Sequence, residues 1–261
     1  MRIGIIGAMG WIGSALGAAL IESGTVAPQN LTVLVRQGRL ADYLGHAGVH
    51  WAGTVAELVE RSDIVIVSVR PQDWPALELR APGRLVISVM AMVPLAALAA
   101  TGARIVRVMP NALAEQRRSW SPWMAGPGVT PEDKAAVARI LQCIGTTDEL
   151  TEERHLDVMT VLPGSGPAYP ALMAMAMLGF ARAQGLPEPI ARRAVEAVIV
   201  DGASQLQGRI DTAAETVAAF RDYRGVTAAG LNGADAAGFS HAVQAGLASA
   251  LRACDPSGKE S

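Results

Sequence analysis

Three glycines at equal spacing, Gly7, Gly10 and Gly13, follow the apolar run Ile3 to Ile6 and precede a segment where Ser14, Leu16, Gly17 and Leu20 recur at helical intervals. Strand, glycine turn and helix in that order suit a dinucleotide. One glycine allows the tight turn, the next lets backbone approach a pyrophosphate, and the third lets helix pack on strand. Phosphates would rest on the unpaired amides of the helix N-terminus, where the dipole favours negative charge. The spacing is GxxGxxG where GxGxxG is commoner, and a glycine turn without a ligand has the same residues. Its place at a strand-helix junction weighs for the ligand.

Two further groups have residue types that could do chemistry. Where an NAD site usually offers an acidic side chain to the ribose hydroxyls, the chain has Arg36, Gln37, Gly38 and Arg39. Guanidinium forks bind phosphate oxygens in paired, charge-assisted bonds, so the cluster favours a 2′-phosphate and hence NADPH, with NADH as the alternative. Two exposed arginines opening a loop are the plainer alternative. Farther on, Pro163-Gly164-Ser165-Gly166-Pro167 interrupts a helical pattern. Ser165 can cap, Pro167 can begin a new helix, and outward amides could hold a substrate carboxylate. A kink between packed helices explains those residues equally well.

The elements that must position these groups alternate. Strands are expected at Ile3 to Ile6, Leu31 to Val35, Ile64 to Val69, Leu85 to Val89, Arg104 to Val108 and Thr147 to Leu150, with an irregular edge at Trp120 to Trp123. Helix-length segments separate them, including a capping-box start at Thr54 to Glu57 and, at Thr130, a cap followed by Pro131 at the first position and the early acids Glu132 and Asp133. That alternation implies crossover connections and a mostly parallel sheet. Ligands then bind beyond the carboxyl ends of the strands, at Ser68 to Gln72, Met90 to Met92 and Met109 to Asn111.

From Thr151 the period-two signal disappears and helices follow. These are Leu156 to Leu162, the Met-rich Ala168 to Gln184, Glu188 to Gln207, a capping box at Thr212 to Glu215, and pieces at Thr227 to Leu231 and Ser240 to Ala253. The apolar Ala168 to Gln184 helix is expected to be covered on most sides, as at a dimer interface. The expected division is a dinucleotide domain over 1–150, a helical dimerisation and substrate domain over 151–254, and a disordered tail over 255–261.

Bulk properties narrow the class. With 261 residues, 51% of them apolar, and a net charge of −2, the chain can bury a large core and fits neither a disordered nor a basic nucleic-acid-binding class. Cys143 and Cys254 form neither a disulfide framework nor a metal spacing, so no metal and a reducing cytoplasm are expected. The first residues read as a core strand and not a signal peptide, and Ala168 to Ala181 is too short to cross a bilayer. No membrane partner is expected.

With these pieces in order, the chain resembles the pyrroline-5-carboxylate reductase family through IGIIGAMGWIGSAL, VSVRPQD, LVISVMAMVPL, RVMPN and LDVMTVLPGSGPAYPAL. LPGSGPAY is the most specific of these. The resemblance implies an N-terminal Rossmann-type domain, a C-terminal all-helical dimerisation domain, a homodimer or higher homo-oligomer, and reduction of a cyclic imine by NAD(P)H. It places Gly7, Ala8, Met9, Gly10, Trp11 and Ile12 under the pyrophosphate and Arg36 and Gln37 near the adenosine ribose. Ser68, Val69 and Arg70 fall where the family's Ala-Val-Lys-Pro touches the cofactor, Ala91 and Asn111 near the nicotinamide, and Ser165 and Gly166 beside the substrate. The family's substrate loop, Ser-Pro-Gly-Gly-Thr-Thr, corresponds here to Tyr223-Arg224-Gly225-Val226-Thr227. Thr227 is expected near the imine nitrogen, with Arg224 and Val226 in the same loop and Arg224 able to pair with a substrate carboxylate.

The altered loop also leaves room for a different cyclic imine, or for a silent cofactor-binding sensor. A 3-hydroxyacid dehydrogenase shares the plan but uses a lysine in its helical domain, and the lysines here are Lys134 and Lys259. His46, His50, His155 and His241 are scattered and form no catalytic constellation. An iminium that arrives protonated needs no strong general acid.

Overall fold

The computed structural model describes residues 1–254, and the tail expected to be disordered, 255–261, lies outside the described residues. The chain divides into two compact units. One contains Met1–Ser165 with the end of the last helix from Leu251, and the other contains Gly166–Ala250.

Apolar strands build the first unit. β1 (Ile3–Ile6), β2 (Leu31–Leu34), β3 (His50–Trp51), β4 (Ile64–Val67), β5 (Leu85–Ser88) and β6 (Arg104–Val108) run parallel. β7 (Ser119–Trp120) lies in a separate pair, and β8 (Trp123–Ala125) closes the main sheet antiparallel to β6. The order is β3-β2-β1-β4-β5-β6-β8, with the chain reversing direction of growth at β1. β3 was not expected; two residues beside a loop leave no periodic signal. β9 (Gly145–Thr146) pairs with β7, earlier than the expected Thr147 to Leu150, where a single bridge joins Trp123 to Glu149.

Both faces of the sheet are covered, as a parallel sheet requires. Ile3, Ile5, Val33, Ile66 and Val106 face α1 (Trp11–Glu22) and α4 (Pro131–Gln142), while Ile6, Val65, Val67 and Val86 face α2 (Val55–Arg61) and α3 (Leu95–Leu98). Ile5 is fully buried between its register partners Val33 and Ile66. Burial of such a side chain stabilises by about 1.5–3 kcal/mol.

Three polar devices hold the frame. Thr130 and Asp133 form a reciprocal capping box on α4, and Arg104 grips the same carboxylate at 2.6 and 3.0 Å. Thr54 caps α2, but Glu57 reaches back to the Gly53 N–H at 2.8 Å and not to the cap residue itself. Tyr43, wholly buried, donates its hydroxyl to the carbonyls of Ala8 at 3.0 Å and Gly13 at 3.4 Å. Gly17 makes room for it, since a Cβ there would lie 2.0 Å from the hydroxyl.

The compact first unit extends beyond residue 150 because α5 (Glu153–Met159) is tied to the sheet. Glu153 accepts from buried Arg107 at 2.6 Å and from the Leu95 N–H at 2.7 Å. α5 then widens into a π turn, Thr160–Gly164, with Pro163 inside it. The turn accommodates a residue that has no N–H to give.

The second unit comprises α6 (Ala168–Ala183), α7 (Glu188–Glu196), α8 (Ala213–Asp222), α9 (Val226–Ala236) and most of α10 (Phe239–Ala253). Glu188 ties α6 to α7 through Arg182 and also holds Arg192. α7 ends at Glu196 and passes into a π turn, Ala197–Gly202, shorter than the helix expected to Gln207. The capping box expected at Thr212 is absent, because Thr212 turns its hydroxyl to the Arg209 carbonyl. Within this unit the buried residues among those described are Ala181, Ala191 and Val195. Met175 and Phe180 of α6 are 65% and 69% exposed, so a single chain does not provide the cover expected for that helix.

Arg104 holds the Asp133 carboxyl below the ordinary aspartate range. Its contribution is therefore complete above about pH 4 and is lost as pH falls through that range. Asp133→Asn should lower stability by about 2 kcal/mol near neutrality and flatten the acid limb in urea melts across pH. Tyr43→Phe should cost about 1 kcal/mol in the same melts while leaving the far-ultraviolet spectrum unchanged.

Candidate functional site

Backbone contact builds the site. Gly7 leaves β1 with φ +82°, and a Cβ there would come 2.2 Å from the Ser68 carbonyl oxygen. Gly13 approaches equally closely, its virtual Cβ 2.4 Å from the Gly7 oxygen. These contacts bring the start of α1 directly over the ends of β1 and β4. Gly10 is the N-cap, with no side-chain cap and no acidic residue in the first turn. The first helical bond runs from Ser14 N to Gly10 O, so the amides of Trp11, Ile12 and Gly13 precede the hydrogen-bonded ladder. Open amides, a positive dipole end and a surface without side chains fit a pyrophosphate. Trp11, 62% exposed, stands beside this cradle, while Ala8 is buried and Met9 packs on the core.

Arg36 and Gln37 follow β2, and Ser68, Val69 and Arg70 follow β4, the strands on either side of β1. Arg70 donates through Nε and Nη2 to Asp73, at 3.1 and 3.3 Å, and Arg36 Nη1 lies 3.8 Å from the same carboxylate. Hydrogen bonding to Arg70, with the charges of Arg70 and Arg36, holds the Asp73 carboxyl below its ordinary range. Sequence reasoning missed Asp73, although the Arg70-to-Asp73 spacing places both on one short turn.

At the ends of the next two strands lie Ala91 and Asn111. Ala91 sits between Met90 and Met92, the latter in the left-handed region at φ 60°. This turn leads into α3, whose Leu95 N–H is held by Glu153. Arg107 is 2% exposed, and its Nε and Nη2 have no hydrogen-bond partner among the described residues. Asn111 is buried, accepts from the Leu113 N–H at 3.0 Å and donates to the Trp120 carbonyl at 3.4 Å. It caps the short helix after β6 as well as facing this edge.

The remaining candidates belong to the segments after β9. Ser165 ends the first unit and Gly166 begins the second. The Ser165 hydroxyl donates to the Thr160 carbonyl at 3.1 Å, and α6 starts from Pro167 without a side-chain cap, so Ser165 closes the preceding turn and does not cap the next helix. In the helical unit, Arg224 and Gly225 adopt positive φ, and α9 begins at Val226 with no acid in its first turn. Its first helical bond runs from Ala229 N to Gly225 O, leaving the amides of Val226, Thr227 and Ala228 ahead of the ladder. Tyr223 and Thr227 line a groove of about 690 Å³ together with Arg209, Thr216 and Phe220. Among the described residues no group of His, Cys, Asp and Glu is arranged to hold a metal ion, and no helix is long and apolar enough to cross a membrane.

Comparison with known proteins adds to this geometry. Residues 153–255 match the family described as pyrroline-5-carboxylate reductase dimerisation, and residues 2–92 match NADP oxidoreductase, coenzyme F420-dependent. The chain is 37% identical to the pyrroline-5-carboxylate reductase of Methanosarcina acetivorans over 187 residues, covering 67% of this chain and 68% of that one. It is 30% identical to the Arabidopsis thaliana enzyme of that name over 213 residues, covering 78% and 76%. In three dimensions it is similar to a Plasmodium falciparum pyrroline carboxylate reductase with NADP bound, with a TM-score of 0.83 at 21% identity over 99% of this chain and 98% of the other. A glycine cradle on a doubly wound sheet, an all-helical second unit and relatives of this identity and coverage have one conclusion: the chain belongs to the pyrroline-5-carboxylate reductase family.

Proposed function

We propose that this protein is an NADPH-dependent reductase of a cyclic imine carboxylate, converting 1-pyrroline-5-carboxylate to L-proline. One observation carries the reading: in a chain of this family, an uncapped helix N-terminus opens at the end of β1, and the strands flanking β1 lead into Arg36 and Arg70. Gly7 to Ile12 hold the pyrophosphate, Arg36 and Gln37 the adenosine ribose and its phosphate, Ser68, Val69 and Arg70 the stretch of cofactor that crosses the end of β4, and Ala91 and Asn111 the nicotinamide end. The bound cofactor supplies a hydride, and the chain contributes orientation and exclusion of water. The imine enters protonated on nitrogen, so hydride addition to carbon leaves a neutral ring amine with no further proton required from the protein. Ser165, Gly166, Arg224 and Val226 contact the substrate, the Arg224 guanidinium pairing with its carboxylate, and the Thr227 hydroxyl accepts from the iminium N–H.

The apolar faces of the second unit support a homo-oligomer, and we assign a homodimer through the helical unit. The free thiols Cys143 and Cys254 agree with a reducing cytoplasm. A second reading, reduction of a different cyclic imine, is favoured by one observation: the loop from Tyr223 to Thr227 departs from the family's sequence and turns through positive φ at Arg224 and Gly225.

Cofactor absorbance, followed with pyrroline-5-carboxylate beside pyrroline-2-carboxylate and piperideine carboxylates, decides between these readings. Fastest turnover of the first is expected. Preference for another ring would assign the altered loop to that ring, and dinucleotide binding without turnover of any imine would point to a sensor. Arg36→Asp should weaken NADPH by roughly tenfold or more and NADH far less, the loss expected for a charge-assisted contact. Thr227→Ala should lower kcat while leaving the NADPH dissociation constant unchanged. Phe180→Glu should convert the oligomer to monomers in light scattering.

A further inference from the structure

The acidic side chain that an NAD site offers to the ribose hydroxyls comes from the end of the second strand, and here that position is Arg36. A carboxylate nevertheless reaches the same place from another direction. Asp73 follows β4, and β2 and β4 both flank β1, so their carboxyl ends border the glycine cradle from two sides. Asp73 lies 3.8 Å from Nη1 of Arg36, the residue that would meet the adenosine ribose if the cofactor reading holds.

We propose that Asp73 is a cofactor-specificity residue that accepts the ribose 2′-hydroxyl of NADH, making the site able to use both nicotinamide cofactors. The assignment rests on the functional reading above and deepens it. Its physical basis is an asymmetry between the two arginines. Arg70, its side chain 61% exposed, is bound to Asp73 by two hydrogen bonds. Arg36 has one ionic contact, beyond hydrogen-bond distance, and a side chain 81% exposed. Arg36 is therefore the mobile cation: it turns to a 2′-phosphate when one is present and leaves Asp73 to the hydroxyl when none is. Arg70 screens the carboxylate from the phosphate in the first case and orients its lone pairs in the second. The cost of this arrangement is a site less positive than its two arginines alone would make it, which holds back selectivity for NADPH.

The test measures dissociation constants of NADPH and NADH for the full-length oligomer by calorimetry and tryptophan fluorescence, with Trp74 adjacent to Asp73 as a reporter. In Asp73→Asn, NADH should weaken by about tenfold while NADPH holds or tightens, so that the ratio of the two constants moves by tenfold or more. Asp73→Glu keeps the charge and should move the ratio by less, with thermal melts of both variants reporting the fold. An unchanged ratio in Asp73→Asn, or equal loss of both cofactors, overturns the assignment while leaving the functional reading intact. Failure of the wild-type protein to bind either dinucleotide overturns both.

Discussion

Between Gly7 and the Ser68 carbonyl there is no room for a single carbon atom, and the cofactor side of the molecule follows from that contact. It sets β1 and β4 side by side at their carboxyl ends and lets the first turn of α1 settle over them with its amides outward. Tyr43 holds the turn from below through the Ala8 and Gly13 carbonyls. Burial pushes its hydroxyl above the ordinary tyrosine range, so it remains a neutral donor throughout the physiological range. A surface shaped by backbone alone is suited to a ligand whose shared feature is phosphate, and the side chains that distinguish one dinucleotide from another are left to the neighbouring strand ends.

A second constraint runs across the sheet. Arg107 points into the face covered by α2 and α3, and its charge is met by Glu153 from α5. The same carboxylate holds the first amide of α3, so the loop carrying Ala91 and the helix leading towards Ser165 share one anchor. Leaving Arg107 buried without Glu153 would be costly, because an uncompensated ion in a dry setting loses several kcal/mol of hydration. The geometry of two separate loops thus depends on one ion pair.

The strands of the first unit were legible because each is a short apolar run between turn residues, a local pattern. β1, β2, β4, β5 and β6 fall where periodicity puts them, and Thr130 caps α4 because cap, proline and early acids are complete within four residues. A capping box is expected at Thr212, but the competing Arg209 carbonyl takes its hydroxyl, a choice no spacing reveals. β3 exists because β2 offers an edge, and the first unit extends past residue 150 because Glu153 has partners at Leu95 and Arg107, far back along the chain. The glycine cradle and Arg36 could be read from residue types. Tyr43 and Asp73 could not, since their importance lies in which distant backbone or arginine they meet.

The two units differ in how they are stabilised. The first closes its own core on both faces of a sheet. The second leaves Met175, Phe180, Ile210 and Val226 largely open to water, and it buries few of its own side chains. Surface of that kind ties folding to mass action, because covering it with another chain contributes free energy that grows with the logarithm of protomer concentration. The stability of the helical half is in that sense tied to how much protein is present, whereas the core of the sheet is closed within one molecule.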